Sequence, residues 1–273
     1  MKDTVAILGG SGVKSIVKGD QKVIGTPYGP TPKLTFGEAN GRKVVFLPRH
    51  GEAHSDPPHK VNYRANLWGL KTLGIERIIA TNAVGAIDSG LSPGEIVVPA
   101  DIIDFTKSRS GTFYEGPPVT HIDMSEPYCP IMRKILLNES SPYAKKPQDG
   151  IVMACTEGPR YETPAEVRML KTLGCGIVGM TGAPEAFLAR ELEICYASVC
   201  FVSNMAAGLQ RSLSAQEVEE KGRETSQVLG KVLIEAIGKI PETRKGCNCG
   251  RALAPAQLAM SEKETKKGPT VAG

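Results

Sequence analysis

Six short segments carry residue types that bind anions or flat heterocycles, and each falls where an apolar run ends. In Ile7-Leu8-Gly9-Gly10-Ser11-Gly12 the glycines let backbone N–H groups approach an anion, and the Ser11 hydroxyl adds a donor. The dinucleotide fingerprint would need a glycine at position 15, where Ser15 stands, so a nicotinamide or flavin site is disfavoured. Arg49-His50 offers a guanidinium fork that matches phosphate oxygens. Thr81-Asn82-Ala83-Val84-Gly85-Ala86 pairs polar side chains with bare backbone. Thr156-Glu157-Gly158-Pro159-Arg160-Tyr161-Glu162-Thr163 sets an aromatic ring beside a carboxylate, which suits a flat heterocycle. Val178-Gly179-Met180-Thr181-Gly182-Ala183-Pro184-Glu185 carries a hydroxyl at the start of a helix, another place that favours anions. Val202-Ser203-Asn204-Met205-Ala206-Ala207-Gly208 ends a strand on polar groups. Taken singly, each segment also reads as a plain turn or a solvated charge; it is their joint presence that points to a site.

The elements that must hold these segments alternate between strand and helix. Apolar runs at Val5–Leu8, Lys43–Leu47, Ile78–Thr81, Ile96–Val98, Ile102–Phe105, Gly150–Cys155, Gly176–Met180 and Ala197–Ser203 read as strands, the third breaking at Asn82. Helical spacing covers Asn62–Leu73, Ile131–Leu137, Pro164–Leu173, Pro184–Leu192 and Ser214–Ile237, with Gly74 and Gly174 as C-terminal caps. This is an α/β pattern, in which ligands gather outside the carboxyl ends of the strands. Residues 106–128, rich in Gly, Pro, Ser and Thr, read as a long loop of the functional kind. No linker divides the chain, so one domain is expected over 1–245, followed by a polar, fraying tail over 246–273.

Composition narrows the class. The 273 residues are 41% hydrophobic but only 5% aromatic, so aliphatic side chains must fill the core. The net charge of +4 comes without a basic stripe, which argues against nucleic acid. No run approaches the roughly 18 apolar residues of a membrane span, and Met1-Lys2-Asp3-Thr4 leads straight into a strand, so a cytoplasmic protein is expected. Of seven cysteines, Cys155, Cys175, Cys195 and Cys200 lie in apolar stretches and read as buried reduced thiols. Cys247 and Cys249 give only two soft ligands where a structural zinc takes four, and all four histidines lie in the first half of the chain. A solvent-near thiol pair or optional disulfide is expected there, and no metal.

In order and spacing, the six segments resemble the trimeric nucleoside phosphorylase family, over nearly the whole chain from Ile7 to about Ile240. Arg49-His50-Gly51, His54, Lys60-Val61-Asn62-Tyr63-Arg64-Ala65-Asn66 and His121-Ile122-Asp123-Met124-Ser125-Glu126-Pro127-Tyr128 look closest to its methylthioadenosine branch. The resemblance implies a single-domain α/β fold whose mixed central sheet curls toward a barrel flanked by helices. It implies a homotrimer or a pair of trimers, and no cofactor beyond inorganic phosphate as co-substrate. By resemblance, Ser11, Arg49, His50, Asn82, Ala83 and Thr181 surround phosphate. Met180 lies against the ribose, Tyr161 near the base with Ser203 and Ala206, and His121 reaches the 5′ end of a nucleoside in a neighbouring subunit.

The base pocket departs from the methylthioadenosine pattern. Where that branch carries a run like Thr-Asp-x-Asp, this chain has Ser203-Asn204-Met205-Ala206, and Glu162 follows the aromatic residue as in 6-oxopurine phosphorylases. An amide at Asn204 can donate to O6 and accept from a protonated N7, while Glu162 accepts from N1–H; adenine presents the reverse pattern at N1 and the 6-position. The expected reaction is therefore phosphorolysis of inosine and guanosine to free base and ribose 1-phosphate, with Asn204 and Glu162 as the catalytic pair. At the 5′ end, Ala215 and Glu219 suggest a polar pocket; methylthioinosine is the alternative substrate and methylthioadenosine a more distant one.

Overall fold

The computed structural model describes residues 3–10, 16–52, 55–144 and 149–257. Its strands are β1 (Val5–Gly9), β2 (Gln21–Lys22), β3 (Leu34–Ala39), β4 (Arg42–Pro48), β5 (Arg77–Ala86), β6 (Ile96–Val97), β7 (Asp101–Phe105), β8 (Val152–Thr156), β9 (Cys175–Gly179) and β10 (Cys195–Met205). The helices are α1 (Tyr63–Thr72), α2 (Pro130–Ser140), α3 (Pro164–Thr172), α4 (Gly182–Glu191) and α5 (Ala215–Lys239). All ten strands join one sheet in the order β2-β3-β4-β1-β5-β9-β8-β7, with β10 on β5 and β6 on β10.

The shape of this mixed sheet is set by β5. One of its edges is taken by β10, in parallel from Arg77 to Ala86. The other edge is shared: β1 runs parallel to Arg77–Ala80, and β9 runs antiparallel at Gly85–Ala86. Two wings therefore leave the same edge of β5 at different heights, and the sheet curls instead of lying flat. Between the wings, residues 81–84 of β5 have no ladder partner on that edge among the described residues.

Alternation along β1 explains the layering. Val5 and Ile7 face a core closed by Met132 and Leu136 of α2 and by Leu229, Leu233 and Ile237 of α5. Ala6 and Leu8 face the opposite core, with Leu67 and Leu70 of α1 and Leu188 and Ala189 of α4. With helices on both faces, β1 is buried throughout, as its uninterrupted apolar sequence requires. Each fully buried Leu or Ile contributes about 1.5–3 kcal/mol.

The structure differs from the sequence reading in three places. The third predicted strand does not break at Asn82: β5 continues to Ala86 because β10 pairs with it over that length, which outweighs the turn preference of Asn and Gly. The exposed β2 and the short β3, which carries a central glycine, went unread. The expected tail is packed as far as Gln257: Cys249, Ala252 and Ala256 are buried, Thr120 bridges Gln257, and the His121 N–H donates to the Ala256 carbonyl at 2.9 Å.

Candidate active site

The bare stretch of β5 collects the anion-binding candidates. At its lower end the Gly10 N–H donates to Thr81 Oγ1 at 2.9 Å. A Cβ on Gly10 would sit 2.4 Å from the Thr81 carbonyl oxygen and 2.8 Å from Arg49 Nη1, so only glycine fits this crossing. Ser11, the next residue, lies outside the described residues. At the end of β4, Arg49 is 1% exposed and donates through Nη1 to the Thr81 carbonyl at 2.8 Å. Through Nε and Nη2 it grips both carboxylate oxygens of Glu185 at 2.7 Å each. Tyr196 donates its hydroxyl to the same carboxylate at 2.8 Å. Burial works against the Arg49 charge, but the charge and hydrogen bonds of Glu185 outweigh it and hold the pKa above the usual guanidinium value. Three of the five guanidinium N–H groups are thus committed to described partners, leaving one each on Nη1 and Nη2 for an anion.

The upper wing completes this group. The β5–β9 register pairs Gly85 with Val178 and Ala86 with Ile177. Carried three residues past Gly85, it brings Thr181 opposite Asn82, and Thr181 Oγ1 donates to Asn82 Oδ1 at 2.6 Å. Asn82 Nδ2 in turn donates to Ser198 Oγ of β10 at 2.6 Å. Backbone groups on one strand edge recur every second residue. The Thr81 carbonyl faces the bare edge toward Arg49, so the Ala83 N–H faces it too. His50 is also buried, its Nδ1 2.8 Å from the Asp56 carbonyl oxygen. The structure thus brings Arg49, Asn82, Ala83 and Thr181 together, with His50 adjoining Arg49 in the chain.

The base-reading candidates occupy a row across the strand ends. Cys155 pairs with Gly179, Val178 with Gly85, and Gly85 with Asn204. A register shift between Val202 and Asn204 marks a bulge at Ser203, the kind of irregularity that re-aims a side chain. Ser203 Oγ donates to Asn204 Oδ1 at 2.6 Å, and Asn204 Nδ2 donates to the Met205 carbonyl at 2.8 Å. At the end of β8, Thr156 Oγ1 donates to Glu162 Oε1 at 2.6 Å and lies 3.4 Å from the Gly179 carbonyl oxygen. Glu162 is 9% exposed. Burial, and after it the charges of Glu217 and Glu162, push the neighbouring Tyr161 hydroxyl above its usual pKa. Ala206 is buried, and its N–H donates to the Ala86 carbonyl at 2.8 Å. Met180 lies over Gly158, where a Cβ would come within 2.7 Å of its sulfur.

Three predicted residues are not joined to this row within one chain. His121 is exposed on the 106–128 loop. Ala215 is exposed, and Glu219, with 69% of its side chain exposed, pairs with Arg223 at 3.6 Å. The glutamate of α5 that turns toward the strand ends is Glu217, which accepts both bonds from Gln210 Nε2 at 3.0 and 2.9 Å; Gln210 Oε1 accepts the Met205 N–H.

Comparison with known proteins decides what this arrangement is. Residues 4–238 match the model of the phosphorylase superfamily. The chain belongs to that family. It is 48% identical over 97% of its length, and 94% of the relative's, to a probable S-methyl-5′-thioinosine phosphorylase of Methanothermobacter thermautotrophicus. It is 46% identical over 91% of its length, and 97% of the relative's, to the 6-oxopurine nucleoside phosphorylase of Pyrococcus furiosus. The methylthioadenosine phosphorylase of Schistosoma mansoni, solved with adenine, superposes with a TM-score of 0.85 at 31% identity, covering 93% of this chain and 98% of that one. This phosphorylase is therefore an enzyme of the pentosyltransferase class with the nucleoside phosphorylase fold.

Sequence reading missed two buried ions that brace the candidate site. Glu185, within a quoted segment but given no role, is the only charged residue in the first two turns of an apolar helix, and that isolation was the available signal. Arg109 stands in the long loop with its side chain 2% exposed. It donates through Nη1 to the Met180 and Ala183 carbonyls at 2.6 and 2.7 Å, and through Nη2 to the Glu157 carbonyl at 2.5 Å. Nothing in its sequence neighbourhood distinguishes it from a solvated arginine.

Proposed function

We propose that this phosphorylase cleaves the N-glycosidic bond of 6-oxopurine nucleosides, inosine and guanosine, with inorganic phosphate, releasing the free base and ribose 1-phosphate. The observation that carries the reading is the pairing of a buried carboxylate with an amide at the base end. Glu162 Oε1 already accepts from Thr156, which leaves Oε2 to accept N1–H of a 6-oxopurine. Asn204 keeps one Nδ2 hydrogen for O6 and one Oδ1 lone pair for N7–H. Adenine would set its N1 lone pair against the carboxylate, and a buried mismatch of that kind discriminates by roughly 10⁴ or more.

As the C–N bond lengthens, the sugar gains oxocarbenium character and charge flows into the purine. Asn204 stabilises the developing N7–H. Phosphate, held by the two remaining Arg49 N–H groups and the Ala83 N–H, attacks the anomeric carbon and balances its charge. Rotation of the Thr181 O–H away from Asn82 turns that proton toward a phosphate oxygen. Ser11 is assigned to the same phosphate, His50 and Asn82 to the wall behind it, and Met180, Tyr161, Ser203 and Ala206 to the nucleoside. No metal or organic cofactor takes part in the chemical step. Three subunits, or two such trimers, assemble so that His121 reaches a neighbour's 5′ end.

A second reading keeps the base assignment and changes the sugar. Glu219 turns to Arg223 and solvent, which removes the charged partner proposed for a 5′-hydroxyl and favours methylthioinosine at that end. Replacing Asn204 tests the base assignment common to both. Asn204→Asp is expected to lower kcat/KM for inosine by about 10²–10³, as loss of one preorganised donor does, and to raise the adenosine-to-inosine ratio. An unchanged ratio would remove Asn204 from base reading.

A further inference from the structure

Outside the nucleoside site, four cysteines from three distant parts of the chain converge. Cys129 is the residue before α2, Cys195 opens β10, and Cys247 and Cys249 lie in the C-terminal segment. Their four sulfurs all lie within 4.8 Å of one another, and Cys129, Cys195 and Cys249 are buried. We propose that Cys129, Cys195, Cys247 and Cys249 form a tetrathiolate site for one structural zinc ion. The expectation of a solvent-near Cys247/Cys249 pair fails because Cys249 is 2% exposed and the two missing soft ligands are cysteines from elsewhere in the chain.

The spacing fits a single tetrahedral ion. Zinc bound at about 2.3 Å to each of four sulfurs sets the S–S edges of the tetrahedron at about 3.8 Å. Cys195 Sγ and Cys247 Sγ are 3.7 Å apart, and no other edge needs to close by more than about 1 Å. Sulfurs this close leave room for one ion and not for a cluster with bridging sulfides. The contacts are not confined to two separate pairs: Cys129 meets both Cys195 and Cys249, and Cys195 meets Cys249 and Cys247 as well. Two disulfides would use only two of these contacts, whereas an ion at the centre uses all four sulfurs.

The surroundings suit thiolates. Arg244 lies against the backbone just after Cys249, where a Cβ on Gly250 would come within 2.8 Å of Nη1 and Nη2. Its charge offsets part of the net negative charge that four thiolates and one Zn²⁺ leave. Binding forms four Zn–S bonds and releases the remaining thiol protons to solvent, with no electron transfer.

Such an ion would have a defined mechanical role. Ala256 and Gln257, just beyond the Cys-x-Cys turn, support His121 and Thr120 of the long loop. Cys129 also closes that loop, its N–H donating to the Tyr196 carbonyl at 2.7 Å. The zinc would tie the C-terminal segment to the base of the loop.

Elemental analysis of the purified full chain is expected to find about one zinc per chain. Denaturing thiol titration should release all seven thiols only when a chelator is present to compete for the ion. Replacement by Co²⁺ should give the intense visible bands of a tetrahedral thiolate complex. Cys247→Ser with Cys249→Ser should abolish the bound metal and lower the thermal midpoint, while Cys175→Ser retains the metal. If that double variant does not fold, the cobalt spectrum of the unaltered chain decides. Metal-free protein overturns the proposal, whether its mass shows the loss of two hydrogens per disulfide or its seven thiols titrate freely. Iron in place of zinc overturns the assignment of the ion.

Discussion

Arg49 is bound to the Glu185 carboxylate in the folded chain, and this pairing controls how the candidate site behaves under substitution. With both side chains fully buried, the guanidinium and Glu185 neutralise each other, and Glu185 together with the Thr81 carbonyl fixes the orientation of the fork. Removing one member leaves a buried charge uncompensated, at a cost of about 3–5 kcal/mol. Glu185→Gln should therefore lower stability in urea by about that amount and raise the KM for phosphate. Arg49→Met combined with Glu185→Met should cost less stability than the sum of the two single changes, which a double-mutant cycle reads directly. Arg49, Asn82, Thr181 and Asn204 could be picked out as candidates because each stands where an apolar run stops, the place where α/β sheets bind ligands, and Glu162 because it follows an aromatic residue. Glu185 and Arg109 were not, because their partners come from other elements: Glu185 lies 136 residues from Arg49, and Arg109 lies 71 from Met180. Glu219 was misplaced for a related reason, since helical periodicity alone does not say which of two nearby glutamates turns inward.

The start of α3 is the element that sets Tyr161 and Glu162. Thr163 and Glu166 form a capping box, and Arg160 grips both Glu166 oxygens at 2.8 and 2.7 Å. Hydrogen bonding from Arg160, then from the Thr163 backbone, lowers the Glu166 pKa to about 2. A carboxyl depressed in the folded state stabilises it above its unfolded pKa of about 4.3 and loses that contribution as pH falls toward 2. Glu166→Gln should therefore flatten the stability profile over that window and leave it shifted by a constant amount at neutral pH, as thermal midpoints across pH would show. The Glu166 side chain is 37% exposed, so solvent keeps the effect small. Helix limits were legible here and at α1, where Asn62 accepts the Ala65 N–H at 3.0 Å and Gly74 takes φ +73°, because caps are local. The continuation of β5 past Asn82 was not, because the partner that sustains it, β10, lies more than a hundred residues away.

At the scale of the molecule, the two wings of the sheet divide the labour. The lower wing brings Gly10 and Arg49 to β5, the upper wing brings Thr181 and Glu162, and the gap between them is where we propose that phosphate binds. The loop that carries His121 is pinned from within by Glu191, which accepts from Thr112 Oγ1 at 2.6 Å and from the Phe113 N–H at 2.7 Å. His121 itself is exposed, and Val119, two residues before it, is 52% exposed. If His121 completes a neighbour's site, mixing inactive His121→Ala and Asn204→Ala chains by joint refolding should restore part of the activity, because some hybrid sites combine an intact partner with an intact pocket. No recovery would place His121 outside the site. The alternation of elements made the α/β class legible from composition and periodicity, whereas the branching of the sheet at β5 depends on register, which sequence spacing does not encode. The most direct measurement of what the assembled enzyme does is base release from inosine, guanosine, adenosine, methylthioinosine and methylthioadenosine, each with and without phosphate. The account predicts strict phosphate dependence with inosine and guanosine turned over best; a preference for methylthioinosine would keep the base assignment and change the 5′ pocket. Dominant turnover of adenosine or methylthioadenosine, or release without phosphate, would contradict it.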